Sequence, residues 1–167
     1  MDQVENVENG NYVDTPTAEP SNNGIYVDQL YLRVPGTALR EGKIPLLTFK
    51  SGNTALQPKL EYRYKLELNG VPFSVFVRNG FRAPSGAPYG SGTRYFIEYG
   101  GQTYHYNLGG YGWESTIKAI TDLDGDGNPD FVISVGASNS SLEVVLLSTK
   151  AKPGSNPPTA SLVGTGC

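Results

Sequence analysis

An all-β domain of antiparallel hairpins, forming a single sheet or a sandwich, is predicted by three features of this 167-residue chain. It carries 21 glycines and 12 prolines with only 17% charged residues, which suits many short elements joined by turns and argues against a helical bundle. Its clearest segments alternate apolar and polar residues with a period of two, as half-buried strands do. Between them stand Asn-Gly and Gly-Gly pairs, which favour two-residue hairpin turns.

Taken in order, residues 1–24 form a polar leader without a sustained period, expected to be mobile. Its "DQVENVEN" has the character of a frayed helix end, so the expectation includes a short N-terminal helix. Residues 25–150 are the expected β domain, long enough to bury one core. It opens with two apolar strand candidates, "IYVDQLYLRV" and "IPLLTF", separated by the loop "PGTALREGK". Residues 151–167, "AKPGSNPPTASLVGTGC", read as a loose Pro/Gly-rich tail.

In "LEYRYKLELNGVPFSVFV", Leu60, Tyr62, Tyr64, Leu66 and Leu68 alternate with Glu61, Arg63, Lys65 and Glu67. Asn69-Gly70 supplies the positive φ angles of a type I′ turn. Pairing across that turn sets Leu68 against Val71, Leu66 against Phe73, Tyr64 against Val75 and Tyr62 against Val77. Glu61 then faces Arg78 on the other side, where Lys65 and Ser74 are expected to tolerate substitution. A slip of one residue would destroy both matches.

A second hairpin, "TRYFIEYGGQTYHYNL", turns at Gly100-Gly101. It pairs Tyr95 with Tyr106 and Ile97 with Tyr104 on one face, and Phe96 with His105 on the other. His105, the only histidine, is therefore read as a cross-strand packing partner. The third hairpin runs from "STIKAITDL" through an acidic loop to "DFVISV", and a further strand, "LEVVLLS", follows.

That loop is the chemical signal. Asp122, Asp124, Asp126 and Asp130 are four of the chain's 16 acidic residues, leaving 12 acids against 13 bases elsewhere. With Asn128 they occupy alternate positions of a tight turn, so successive side chains can curl toward one centre. Calcium takes about six to eight hard oxygen ligands. The four aspartates and Asn128 offer oxygen alone, which makes Ca2+ the expected cofactor. Gly125 and Gly127 permit backbone angles that a side chain obstructs. Phe131 is expected to anchor the loop in the core. An EF-hand needs a bidentate Glu at the twelfth position, where this chain has Ile133. A glycosidase carboxylate pair would come from separate elements flanking a substrate.

"DLDGDGNPDFVIS" resembles the calcium loop of FG-GAP and VCBS-type repeats, in which an Asp-rich turn joins two antiparallel strands. The resemblance covers the loop alone, since no repeat recurs in the chain. It implies calcium at Asp122, Asp124, Asp126, Asn128 and Asp130, and an extracellular or cell-surface location. In layout, a β-rich domain with one calcium loop before a Pro-rich tail is similar to the heads of type IV pilins and type II secretion pseudopilins. Some of those heads use calcium to pin the C-terminal region.

The remaining features bear on function by exclusion. Net charge is −3 with no basic run, so nucleic acid is not an expected partner. No apolar run approaches the roughly 18 residues of a membrane span. The start has neither the basic region nor the apolar stretch of a secretory signal, so the chain is either cytosolic or separated from its targeting segment. The sole cysteine, Cys167, leaves no internal disulfide or Cys-based zinc site and is read as a free thiol at a frayed end. No Ser-His-Asp spacing or phosphate-cradling glycine motif is present, so no enzyme activity is expected. The expected function is a non-catalytic adhesion or appendage-assembly module with protein partners. The alternatives are the head domain of a type IV pilin or pseudopilin, and a carbohydrate-binding module using exposed aromatics such as Tyr89, Tyr111 and Trp113.

Overall fold

The structure, a computed structural model, describes residues 3–6, 13–14, 37–39, 44–49, 55–78, 81–82, 88–89, 93–108, 115–137 and 140–165. The expected strand at residues 25–34, the aromatics Tyr111 and Trp113, and Cys167 lie outside them, as does the side chain of Tyr89. The described residues hold fourteen strands and no α-helix.

The strands are β1 (Gln3–Asn6), β2 (Val13–Asp14), β3 (Pro45–Leu46), β4 (Tyr62–Leu68), β5 (Val71–Arg78), β6 (Phe81–Arg82) and β7 (Pro88–Tyr89). They continue as β8 (Arg94–Tyr99), β9 (Gln102–Asn107), β10 (Ser115–Thr121), β11 (Asp130–Ala137), β12 (Ser140–Leu146), β13 (Gly154–Asn156) and β14 (Ala160–Thr165). One sheet has the order β1-β4-β5-β8-β9-β13 and the other β10-β11-β12-β14, while β2-β3 and β6-β7 pair separately.

The two large sheets share one core, which makes the domain sandwich-like. Tyr64, Leu66, Leu68, Phe73, Val75, Tyr95, Ile97 and Tyr106 from the six-stranded sheet are buried with Ile117, Ile120, Phe131, Ile133, Val144 and Leu146 from the four-stranded sheet. In β4, β5, β8, β11 and β12 these are alternate residues, so the period of two selects the buried face, while in β10 a register shift between Ile117 and Ala119 brings Ile120 to the same core. The Tyr95 hydroxyl hydrogen-bonds that of Ser115 across the core. Burial foremost holds the Tyr95 phenol well above its usual range, with the Ser115 bond acting against it.

The first two hairpins have the expected register. Leu68 faces Val71, Leu66 faces Phe73 and Tyr64 faces Val75. Asn69 and Gly70 have φ of 52° and 80°, the left-handed geometry of the expected turn. Tyr95 pairs with Tyr106, Ile97 with Tyr104, and Phe96 with His105, whose ring centroid lies 5.5 Å from that of Phe96.

The ladder ends before Tyr62 meets Val77. Glu61 takes φ of 66°, its N–H donates to the Val77 carbonyl, and Leu60 bridges Val77 in a parallel sense. The expected Glu61–Arg78 partnership is nevertheless present, with 3.4 Å between Nε and Oε2.

On the outer face of the six-stranded sheet, Arg63, Phe76, Phe96 and His105 lie in one cross-strand row. The Arg63 guanidinium is 3.9 Å from the Phe76 centroid, and Phe76 stacks on Phe96 at 4.9 Å. Ser74 in the neighbouring row is buried, not free to vary as expected. It accepts from Arg63 Nη1 at 3.1 Å and donates to Glu98 Oε2 at 2.7 Å.

Two terminal expectations are corrected. Gln3–Asn6 is a strand parallel to β4, not a helix end, because extended "QVEN" can occupy the open edge of β4. The tail expected to be loose contributes β13, parallel to β9, and β14, antiparallel to β12. Its prolines, Pro153, Pro157 and Pro158, fall beside and between these strands, where they need no ladder partner.

Candidate metal centre

The acidic loop joins β10 to β11, and the pairing of Thr121 with Asp130 closes its base. Ile120 and Phe131 beside that pair are almost wholly buried, so the core fixes both ends of the loop. Phe131 is the anchor expected from the sequence. Gly125 and Gly127 take φ of 80° and 85°. No neighbour lies within 4 Å of where a Cβ on Gly127 would stand, so backbone angle, not crowding, calls for glycine there.

Asp122, Asp124 and Asp130 converge, each offering a carboxylate oxygen within 4.8 Å of the others. Asp122 and Asp130 are buried and Asp124 is half-buried. Asp122 Oδ1 accepts the Gly125 N–H at 2.8 Å, which curls the loop back on its first ligand candidate. Asp130 is the hub. Its Oδ2 accepts the Leu123 N–H at 2.7 Å and its Oδ1 accepts the Ser148 N–H at 2.7 Å.

Asp126 falls outside that trio, and Asn128 is bonded to Asp126. The exposed Asp126 carboxylate accepts the Asn128 N–H at 2.8 Å, the Asn128 side-chain amide at 3.0 Å and the Ser148 hydroxyl at 2.8 Å. Asn128 thus points its amide nitrogen at Asp126.

Sequence reasoning missed the 3₁₀ turn at Ser148–Lys150, which follows β12. Besides the two bonds from Ser148, the Thr149 hydroxyl donates to Asp124 Oδ2. No local pattern announces these contacts, because the hydroxyls come from 22 and 25 residues downstream of the carboxylates they meet. The facing sheet also reaches the site. Burial foremost, then the Asp130 charge, pushes the Tyr106 phenol up to about 12.

The electrostatics are those of a site short of positive charge. Burial foremost raises the Asp130 carboxyl to about 7, and the Asp124 charge adds to the rise, while its bonds from Ser148 and Leu123 act against it. A cation among the three carboxylates would relieve both the desolvation and the repulsion. The donors are all oxygen, which suits a hard divalent ion over a soft one. Asp122, Asp124 and Asp130 can therefore hold a metal ion. Compared with known proteins, the chain matches no protein-family model, no curated protein and no solved structure.

Proposed function

We propose that this chain is a non-catalytic extracellular β domain acting in cell-surface adhesion or appendage assembly, in which calcium has a structural role. The observation that carries the reading is the convergence of Asp122, Asp124 and Asp130 at the core-anchored mouth of a hairpin. Three carboxylates at an oxygen-only site favour calcium over zinc or copper. Asp126 and Asn128 complete the proposed ligand set by turning inward from their present partners. Extracellular calcium would fill such a site continuously, which suits a structural ion.

A pilin-like head is the second reading. It is favoured by one specific feature: the loop engages the Ser148–Lys150 turn that leads into the C-terminal strands.

Calorimetric titration with calcium and with magnesium tests the metal assignment. Calcium is expected to bind more tightly than magnesium, and failure of calcium to bind overturns the assignment. Labelling of intact cells with a membrane-impermeant amine reagent tests the location. Labelling of the parent protein only after lysis overturns the surface assignment.

A further inference from the structure

Two hairpin turns, Asn69-Gly70 and Gly100-Gly101, stand side by side at one end of the six-stranded sheet, because β5 pairs antiparallel with β8. The residues around them line a groove of about 780 Å³, within the range of about 300 to 1,000 Å³ usual for small-molecule sites. None of the loop aspartates lines it. Gly70, Gly100 and Gly101 leave open space where a side chain would stand, so a ligand can approach the backbone of both turns. The exposed Pro72 and the half-buried Tyr99 add apolar surface. The Tyr99 ring is stiffened by stacking on Tyr104, their centroids 4.5 Å apart.

The polar side of the groove is one cross-strand row. Lys65, Ser74, Glu98 and Thr103 are successive partners across β4, β5, β8 and β9, and all four line the groove. Glu98 is the fixed member. Its Oε2 accepts the Ser74 hydroxyl at 2.7 Å and also the Arg63 guanidinium, while the buried Ser74 accepts from Arg63 at 3.1 Å. A carboxylate held on one oxygen by two partners presents its other oxygen in a set direction, which spares a ligand the entropy of ordering it. Among the described residues, nothing bonds Glu98 Oε1, the Lys65 ammonium, the Gln102 carboxamide or the Thr103 hydroxyl.

These groups narrow the ligand by their charge. A phosphate or carboxylate would meet the open Glu98 oxygen, and an amine would meet Lys65, each with like-charge repulsion. A sugar hydroxyl both donates and accepts, so neighbouring hydroxyls of one ring can serve Glu98 and Lys65 together. The C–H face of such a ring suits the apolar surface of Pro72 and Tyr99. We propose that this groove binds a neutral glycan, with Glu98 accepting and Lys65 donating to adjacent hydroxyls and Gln102 and Thr103 adding further bonds. The proposal goes beyond the calcium reading and does not rest on it.

The test is a titration of the whole chain, followed by its amide NMR signals, with maltotriose, cellotriose, mannotriose and triacetylchitotriose as neutral probes. Trigalacturonate is the acidic comparison and triglucosamine the basic one. At least one neutral sugar should move the Gly70, Gly100, Gly101 and Gln102 amides saturably at millimolar concentration. A Lys65→Ala/Gln102→Ala variant alters two exposed side chains and keeps the fold; its affinity should fall roughly tenfold or more, the loss expected for bonds of which one is charged. Glu98→Gln, which keeps the shape without the charge, should weaken binding likewise, and Lys118→Ala, exposed on the other sheet, should leave it unchanged. No saturable shift with any neutral sugar, preference for the acidic or basic probe, or unchanged affinity in the double variant overturns the proposal.

Discussion

Phe73 of β5 and Phe131 of β11 meet edge to face across the sandwich, their ring centroids 6.0 Å apart and their planes at 79°. The contact joins the first hairpin to the residue that follows Asp130, so packing of the core and placement of the acidic loop depend on the same ring.

Replacing either ring should therefore cost stability heavily. Phe73→Ala and Phe131→Ala are each expected to lose about 3 to 5 kcal/mol, and Leu66→Ala about 2 to 5. Lys65→Ala, at an exposed position of the same strand, should stay within about 0.5 kcal/mol. Chemical denaturation of the four variants checks the ranking, and Lys65→Ala costing as much as Leu66→Ala would contradict the register.

Ser74 separates what the alternation says from what the neighbours require. Ser74→Ala removes a hydroxyl lying between Arg63 and Glu98, and should cost about 1 kcal/mol. Combining it with Glu98→Ala should be less than additive, since both changes delete the same bond. Strict additivity in denaturant melts would show the three groups to be independent.

The pH dependence of the chelated protein follows from Asp130. Its carboxyl titrates near 3.8 when unfolded and about 7 when folded, so the folded state binds more protons between those values. The stabilising contribution is full below about 3.8 and is lost as pH rises to about 7. The slope is at most about 1.4 kcal/mol per pH unit. The native chain minus Asp130→Asn difference isolates it in melts run from acid to neutral pH. Calcium should abolish the slope by favouring the ionised form, and its affinity should weaken below pH 7. A difference curve that rises with pH would have the wrong sign.

Calcium should raise the melting temperature by an amount that grows with the logarithm of its concentration once the site is filled. Magnesium should do less, because it demands a smaller and more regular octahedron. Asp124→Ala should abolish the calcium gain, and Asp126→Ala should also reduce it if that carboxylate turns inward from Ser148. Identical melts in chelator, calcium and magnesium would reduce the loop to a solvated turn.

What was legible in the sequence was local. The Asn69-Gly70 and Gly100-Gly101 hairpins were readable because turn chemistry and alternation act on neighbours, and each confirms the other's register. The acidic loop was readable for the same reason, down to its anchor at Phe131. The strands β1, β13 and β14 were not. Their pairing is set by which sheet edges the rest of the fold leaves open, and "GSN" carries no mark of Tyr104, His105 and Tyr106, beside which it lies. The break at Glu61 was equally hidden, since a charged residue in an alternating run gives no hint of a positive φ. Within the site, spacing grouped five residues. Only folding shows that three of them converge while Asp126 and Asn128 bond to each other.

The position of β13 and β14 in chain order also sets a timetable for biosynthesis. Every other described strand precedes them, so a chain emerging from the ribosome can form its local hairpins while one margin of each large sheet stands bare. At about 5 to 20 residues per second, the roughly 20 residues after β12 leave those margins open for one to a few seconds. The pairing of β13 with β9 joins segments some 50 residues apart and must await nearly the whole domain. Crowded nascent chains are most exposed to mispairing in that interval, and the arrival of β13 and β14 ends it.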